Sequence, residues 1–531
     1  MKKITTRLLS LVLLGAFIPS FVLAETWDLG KGDITVTATE TSQTVSQVNG
    51  DSKVDDNPVI TSNGTATSNT ITIEAAAGAE ANVTLENVNI NTGGAAITTS
   101  GDGSVNIELD GANKVQSGTY HAGVEKTNDG TLTITDTDQD NGSLTATGGQ
   151  RGAGIGGGYQ ASSSNITISG GKVTANGGEW AAGIGGGEDG NGSHITIEGG
   201  TVTANGGYGA AGIGGGTNNN TVENIGKGED IIIKDGTVTA TGGGGAAGIG
   251  GGYGGAGSDI TVSGGIVTAT GGEDGAGIGS GKDIGSDGAT NIKIEGGNVT
   301  AQGGNNGAGI GSGNKSSAKY IEVSKGTVKA TGGINSAGIG GGGEGFGEHI
   351  TVSGGIVEAK GKENGAGIGG GNGGSGNEIN IKGGTVTATG GENAAGIGGG
   401  NRVSPDDGNG SNITVSGGEV TAIGGSDKNG DGGGAGIGGG NGGDGTGITV
   451  SGGEKIEAKG GQNAAGIGGG KDGSGSTIKI ENGKVTANGG VNGAGIGGGN
   501  GGDGTDITVS GGEIKEAKGG QNAAGIGGGN G

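Results

Sequence analysis

The chain has 531 residues, 150 of them glycine, no cysteine and a formal charge of −24. Without cysteine there is no disulfide framework, and so acidic a surface argues against nucleic acid or an anionic membrane as partner. The 150 glycines and 3 prolines make up about 29 % of the chain, a level that signals low-complexity disorder unless a period is present, so periodicity decides the class.

Residues 1–24 read as an export signal. Lys2, Lys3 and Arg7 form a basic start, Leu9 to Phe21 an apolar stretch, and Val22-Leu23-Ala24 a small-residue cleavage site before Glu25. The segment is too short for a membrane anchor. The mature chain is therefore expected outside the cell or on its surface, with no membrane insertion. Removing Lys2, Lys3 and Arg7 takes the formal charge from −24 to −27.

Residues 25–70 are predicted to cap the end of a solenoid, and residues 71–150 to form degenerate coils. Val83 and Leu85, Val88 and Ile90, and Ala96 with Ile97 mark one such coil. Val105, Ile107 and Leu109 with Val115 and Val124 mark another, and Leu132, Ile134, Leu144 and Ala146 lead into the regular array.

Residues 151–531 carry the clock. Ala-Gly-Ile-Gly recurs thirteen times, from Ile155 to Ile526, mostly at intervals of 29 residues. A fixed period of this length is the signature of a solenoid. One unit holds three triplets: Ile166-Thr167-Ile168, Val173-Thr174-Ala175 and Ala182-Gly183-Ile184, each closed by glycines. Alternation within a triplet points its ends inward and its middle outward, as in a half-buried strand. The connections are too short for helices, so each strand pairs with its copy in the next coil, about 4.8 Å away. The predicted fold is all-β, a right-handed parallel β-helix of about 29 residues and three short strands per coil. Roughly fifteen coils give a rod on the order of 70 Å long. The chain stops inside a repeat at Asn530-Gly531, which predicts a fragment of a longer protein or an end covered by a partner.

Insertions fall mainly after the Gly-Gly-Gly corner. The usual gap of 11 residues from corner isoleucine to the next strand grows to 18 after Ile213, 14 after Ile278 and 16 after Ile397. That edge is the expected binding surface; the competing reading is drift where extra length is harmless. Tyr159, Trp180, Tyr208 and Tyr253 flank the third strand on this edge. Rings in loops are suited to stacking on sugar faces, with ordinary loop packing as the alternative. Asp427, Asn429 and Asp431 have the spacing of a calcium loop, and Asp136, Asp138 and Asp140 approach it, although neither loop has the bidentate glutamate at position twelve. Ca²⁺ is the cofactor these loops suggest. Ranks of threonine such as Thr201, Thr203 and Thr237 would suit an ice-binding face, but Lys329, Glu358, Lys360 and Glu457 interrupt the columns. His121, His194 and His349 fall in separate coils, and the uniform repeat predicts no catalytic cluster.

Units such as Gly384-Thr385-Val386-Thr387-Ala388 through Ala395-Gly396-Ile397-Gly398-Gly399-Gly400 resemble the repeats of exported bacterial glycine-rich β-helix proteins of the carbohydrate-binding or adhesin-like type. The resemblance covers roughly residues 80 to 531 and implies a non-catalytic polysaccharide or cell-surface glycan binder. A structural stalk or adhesin repeat region is the alternative; a polysaccharide-degrading enzyme stands behind both.

Overall fold

The computed structural model describes residues 25–48, 50, 52–137, 142–217, 226–282 and 288–531. The export segment lies outside these residues. The described chain winds into a right-handed parallel β-helix of about 17 turns with three sheets. One coil shows the order: Ser163–Ile168 in the first sheet, Lys172–Asn176 in the second and Ile184–Gly185 in the third.

Register explains why the core is so regular. Ile166 pairs with Ile195, Val173 with Val202 and Ile184 with Ile213, so each inward side chain sits directly on its copy. These columns are fully buried from coil to coil. A coil has only about five inward aliphatic side chains, too little apolar area to hold it alone, and stacking supplies the rest.

The count exceeds the expected fifteen because residues 25–70 do more than close an end. Thr26–Asp28 already pairs in parallel with Val59–Thr61, and Ile34–Ala38 with Ile71–Ala75. Gln43–Gln47 then adds antiparallel to Ile34–Ala38, and Ser52–Val54 to Gln43–Gln47. At about 4.8 Å per coil the rod is on the order of 80 Å long.

The third face also differs from the expected half-buried triplet. Ala182, Gly183 and Ile184 are all buried. The Ala182 N–H reaches back to the Gly186 carbonyl at 2.9 Å, drawing the segment into a tight inward loop with no outward side. Glycine is obligatory at its turn: Gly185 has φ of +133°, and a Cβ there would stand 2.0 Å from the Gly214 carbonyl oxygen of the next coil.

The first sheet carries a feature that periodicity did not flag. The residue just before each Ile-x-Ile triplet is left-handed, in a column that includes Asn165 (φ 57°), His194 (φ 50°), Asp230 (φ 50°) and Tyr320 (φ 57°). Asn, Asp and His tolerate this conformation best, because a short polar side chain can bond locally. Neighbours in the column interact, as in Tyr320 stacked on His349 at 4.7 Å, and His349 paired with Glu378 at 2.7 Å.

Candidate functional site

The third face builds an edge from two turns per coil. One turn precedes the buried Ala-Gly-Ile-Gly segment and the other follows it. Because the segment dips inward, the two turns meet outside it. The backbone of Glu188 donates to the Arg151 carbonyl at 3.0 Å, Thr217 to Trp180 at 3.0 Å, and Tyr253 to Gly209 at 2.7 Å. Side chains of the two turns thus form two adjacent columns running along the rod.

The first column reads Tyr120, Arg151, Trp180, Gly209, Gly245 and Asp274, and from Asn306 onward almost entirely asparagine. The second reads Tyr159, Glu188, Thr217, Tyr253 and Lys282, and then again mainly asparagine. Aromatic and charged residues are therefore concentrated in one stretch of the edge.

Three of the four aromatic residues singled out in the sequence line one cleft there. Trp180 and Tyr208 meet edge to face, with ring centroids 5.5 Å apart. Tyr253 lines the same cleft, whose volume is about 460 Å³. Gly209, Gly244 and Gly245 leave room for the rings: a Cβ on Gly245 would lie 2.4 Å from the Tyr253 ring. Tyr208 is 67 % exposed, so its ring is presented to solvent rather than spent on packing.

The polar wall of the cleft is Glu273, Asp274 and Lys282. Lys282 Nζ donates to Asp274 Oδ2 at 2.9 Å and lies 5.9 Å from the centre of the Tyr253 ring. The other Asp274 oxygen accepts from Asn306 at 2.7 Å and Asn314 at 3.2 Å. Burial alone would raise the Asp274 carboxyl, but the hydrogen bonds from Asn306, Lys282 and Asn314 and the charge of Lys282 hold it below its usual value. The bond to Asp274 in turn raises the Lys282 ammonium against a smaller effect of burial. Both groups stay charged near neutrality, and together they offer fixed donors and acceptors beside aromatic faces.

Tyr159 does not join that cleft. It stands 5.6 Å from Tyr120, ring centre to ring centre, and the Arg151 guanidinium lies over it at 4.8 Å. Arg151 also pairs with Glu188 at 3.3 Å. Tyr120 escaped the sequence reading because its coil has Ala122-Gly123-Val124-Glu125 in place of Ala-Gly-Ile-Gly, which hid its register with Arg151. Aligning Val124 with Ile155, which do pair across the third sheet, would have placed Tyr120 and Arg151 in one column.

The oxygen-rich loops have their own roles. Asp427 Oδ1 accepts the backbone N–H of Asp431 at 2.7 Å, and a bridge between Ser426 and Gly433 closes the loop containing Asn429 as a small hairpin. The Asp427 carboxylate therefore caps its own turn. Asp136 sits half-buried at a corner beside Gly170 and Gly171, while Asp138 and Asp140 lie outside the described residues. Among the described residues no group of three or more His, Asp or Glu side chains gathers in a way that could hold a metal ion. None of the helices among those residues is long and apolar enough to cross a membrane. His121, His194 and His349 are held apart, in separate pairs with Glu125, Asp230 and Glu378.

Neither the curated proteins nor the solved structures contain a match to this chain. The beta helix repeat family matches it in thirteen segments, beginning with residues 140–159, 166–188 and 195–217 and ending with 507–530. The segments coincide with the coils described above and cover more than half of the sequence, so the chain belongs to the beta helix repeat family.

Proposed function

We propose that the protein is an exported, non-catalytic polysaccharide-binding rod whose glycan lies along the loop edge, with the Trp180–Tyr208–Tyr253 cleft as its principal contact. The observation that carries this reading is the convergence of three rings on one glycine-floored cleft beside Glu273, Asp274 and Lys282. Sugars present apolar C–H faces and a rim of hydroxyls, and this wall matches both with ring faces and fixed polar partners. The test is retention on insoluble polysaccharides and a glycan array, with calcium and with chelator. Loss of retention in a Trp180→Ala, Tyr208→Ala double variant supports the reading, and failure of the unmodified protein to bind any glycan rejects it. Loss of binding with chelator would bring the Asp427 and Asp136 loops into the function through Ca²⁺.

A second reading, a structural stalk or adhesin repeat, is favoured by the coils from Asn306 onward. Their edge is occupied by self-paired asparagines, which suits a spacer that holds the aromatic stretch at a distance.

A further inference from the structure

The repeat breaks at one coil. Where later coils carry Ala-Gly-Ile-Gly followed by glycine or, at Ser280 and Ser312, by serine, this one carries Ala122-Gly123-Val124-Glu125-Lys126, so two charged side chains occupy positions that are small and uncharged afterwards. Both line a cavity of about 570 Å³, within the range of small-molecule sites, between the Tyr120 and Tyr159 rings and Ser162, Ser163 and Ser164.

The polar groups of this cavity are buried and only partly used. Lys126 is 2 % exposed and donates to the Asn128 carbonyl at 2.5 Å, yet it forms no ion pair among the described residues. Ser163 is 4 % exposed, and among the described residues its hydroxyl has no hydrogen-bond partner; the side-chain oxygen of Asn128 is likewise buried without one there. The nearby carboxylates are engaged or exposed. Glu125 accepts from His121 and from the Ala122 N–H, each at 2.9 Å; Glu188 is held by Arg151; Asp129 faces solvent. A buried cation whose counter-charge, Asp129, stands at the exposed rim of the cavity is costly, and buried polar groups without partners are rare in a folded chain. Here several meet at one cavity beside two rings that pack on each other.

We propose that this cavity is a second, separate binding site that takes a sugar residue bearing one anionic group. The anion lies on Lys126 and the sugar face against Tyr120 and Tyr159. Arg151 positions the two tyrosines from behind. The site does not depend on the Trp180 cleft, so either can fail without the other.

Titration calorimetry on the full chain tests it, with glucuronate and N-acetylglucosamine 6-sulfate as anionic probes and glucose and N-acetylglucosamine as neutral ones. Tighter binding of either anionic sugar than of its neutral counterpart, by tenfold or more, is expected; the two anionic arms distinguish carboxylate from sulfate. Lys126→Met should remove that advantage. Because the Trp180 cleft also takes sugars, the titrations are repeated in a Trp180→Ala, Tyr208→Ala background, where the preference for the anionic probes should persist. Equal affinity for neutral and anionic sugars, no binding of either anionic probe, or persistence of the preference in folded Lys126→Met overturns the proposal. So does loss of anionic binding in the Trp180, Tyr208 variant alone.

Discussion

The edge of this rod is built on one repeating backbone and carries two kinds of surface. Between Tyr120 and Lys282 its columns carry rings, arginine, carboxylates and glycine, and two cavities open there. Beyond Asn306 the first column is a ladder: Asn335 donates to Asn306 at 3.0 Å, Asn364 to Asn335 at 3.0 Å and Asn393 to Asn364 at 3.2 Å. Asp274 is the junction, taking Lys282 of the cleft on one oxygen and the first ladder asparagine on the other. Identical amides stacked at the coil spacing satisfy each other, which stabilises the stack but leaves little for a ligand. Varied residues cannot pair with their copies, and that mismatch leaves open surface.

The largest expected effect attacks what both stretches share. Gly340 has φ of +131°, and a Cβ there would stand 2.1 Å from the Gly369 oxygen. Gly340→Val should cost about 3 kcal/mol or more and split the rod locally, seen as a lowered Tm and new protease cleavage near that coil. The same change in the aromatic stretch, at Gly214, should cost as much, since the spine does not distinguish the two regions.

The next effect separates them. Trp180→Ala with Tyr208→Ala should lower glycan retention at least tenfold while moving Tm by only a degree or two. Asn364→Ala with Asn393→Ala should leave retention unchanged and cost about 1–2 kcal/mol of stability through lost ladder bonds. If the asparagine pair mattered for binding as much as the aromatic pair, the division drawn here would be wrong.

Lys126 sharpens the comparison from within the irregular stretch. Burial lowers its amine to about 8, opposed in part by the charge of Asp129. A lysine whose folded value lies below its unfolded one near 10.5 destabilises the fold wherever it must stay charged. That penalty is fully present below pH 8 and is relieved as pH rises toward 10.5, because the unfolded chain holds the extra proton in this window. Lys126→Met should therefore raise stability at pH 7 by about 1–2 kcal/mol, after allowing for water's access. The gain should shrink by pH 10, measured as the Tm difference between the two proteins at each pH.

The smallest effect is at the junction. The Asp274 carboxyl lies below its ordinary value, so its contribution is present above that ordinary value and is lost as pH falls through the folded one. Asp274→Asn should cost a few tenths of a kcal/mol at pH 7, because the pair is partly exposed, and less as pH falls below the ordinary carboxylate range.

Most of the fold was legible in the residues. The interval of Ala-Gly-Ile-Gly, the alternation in Ile166-Thr167-Ile168 and the glycine corners specify a stacked coil, because parallel pairing in register puts like upon like. The aromatic residues were legible as candidates one by one. Their grouping was not, since it depends on how the turn of one coil meets the turn of the next. Tyr159 looked equivalent to Tyr253 by offset, yet it packs with Tyr120 and Arg151 in another site. At the calcium-like string, the structure shows a local hairpin in which the Asp427 carboxylate accepts from its own backbone.

By itself, then, the sequence determined the coil, its period and its three inward columns, because these follow from local alternation and from neighbours stacking on copies of themselves. Only the tertiary structure decided that Ala-Gly-Ile-Gly dips inward, that the turns beside it close over it, and that Lys126 and Ser163 end up buried in one cavity. Those outcomes rest on backbone groups from successive coils finding each other across about 30 residues of chain, a distance over which no local pattern speaks.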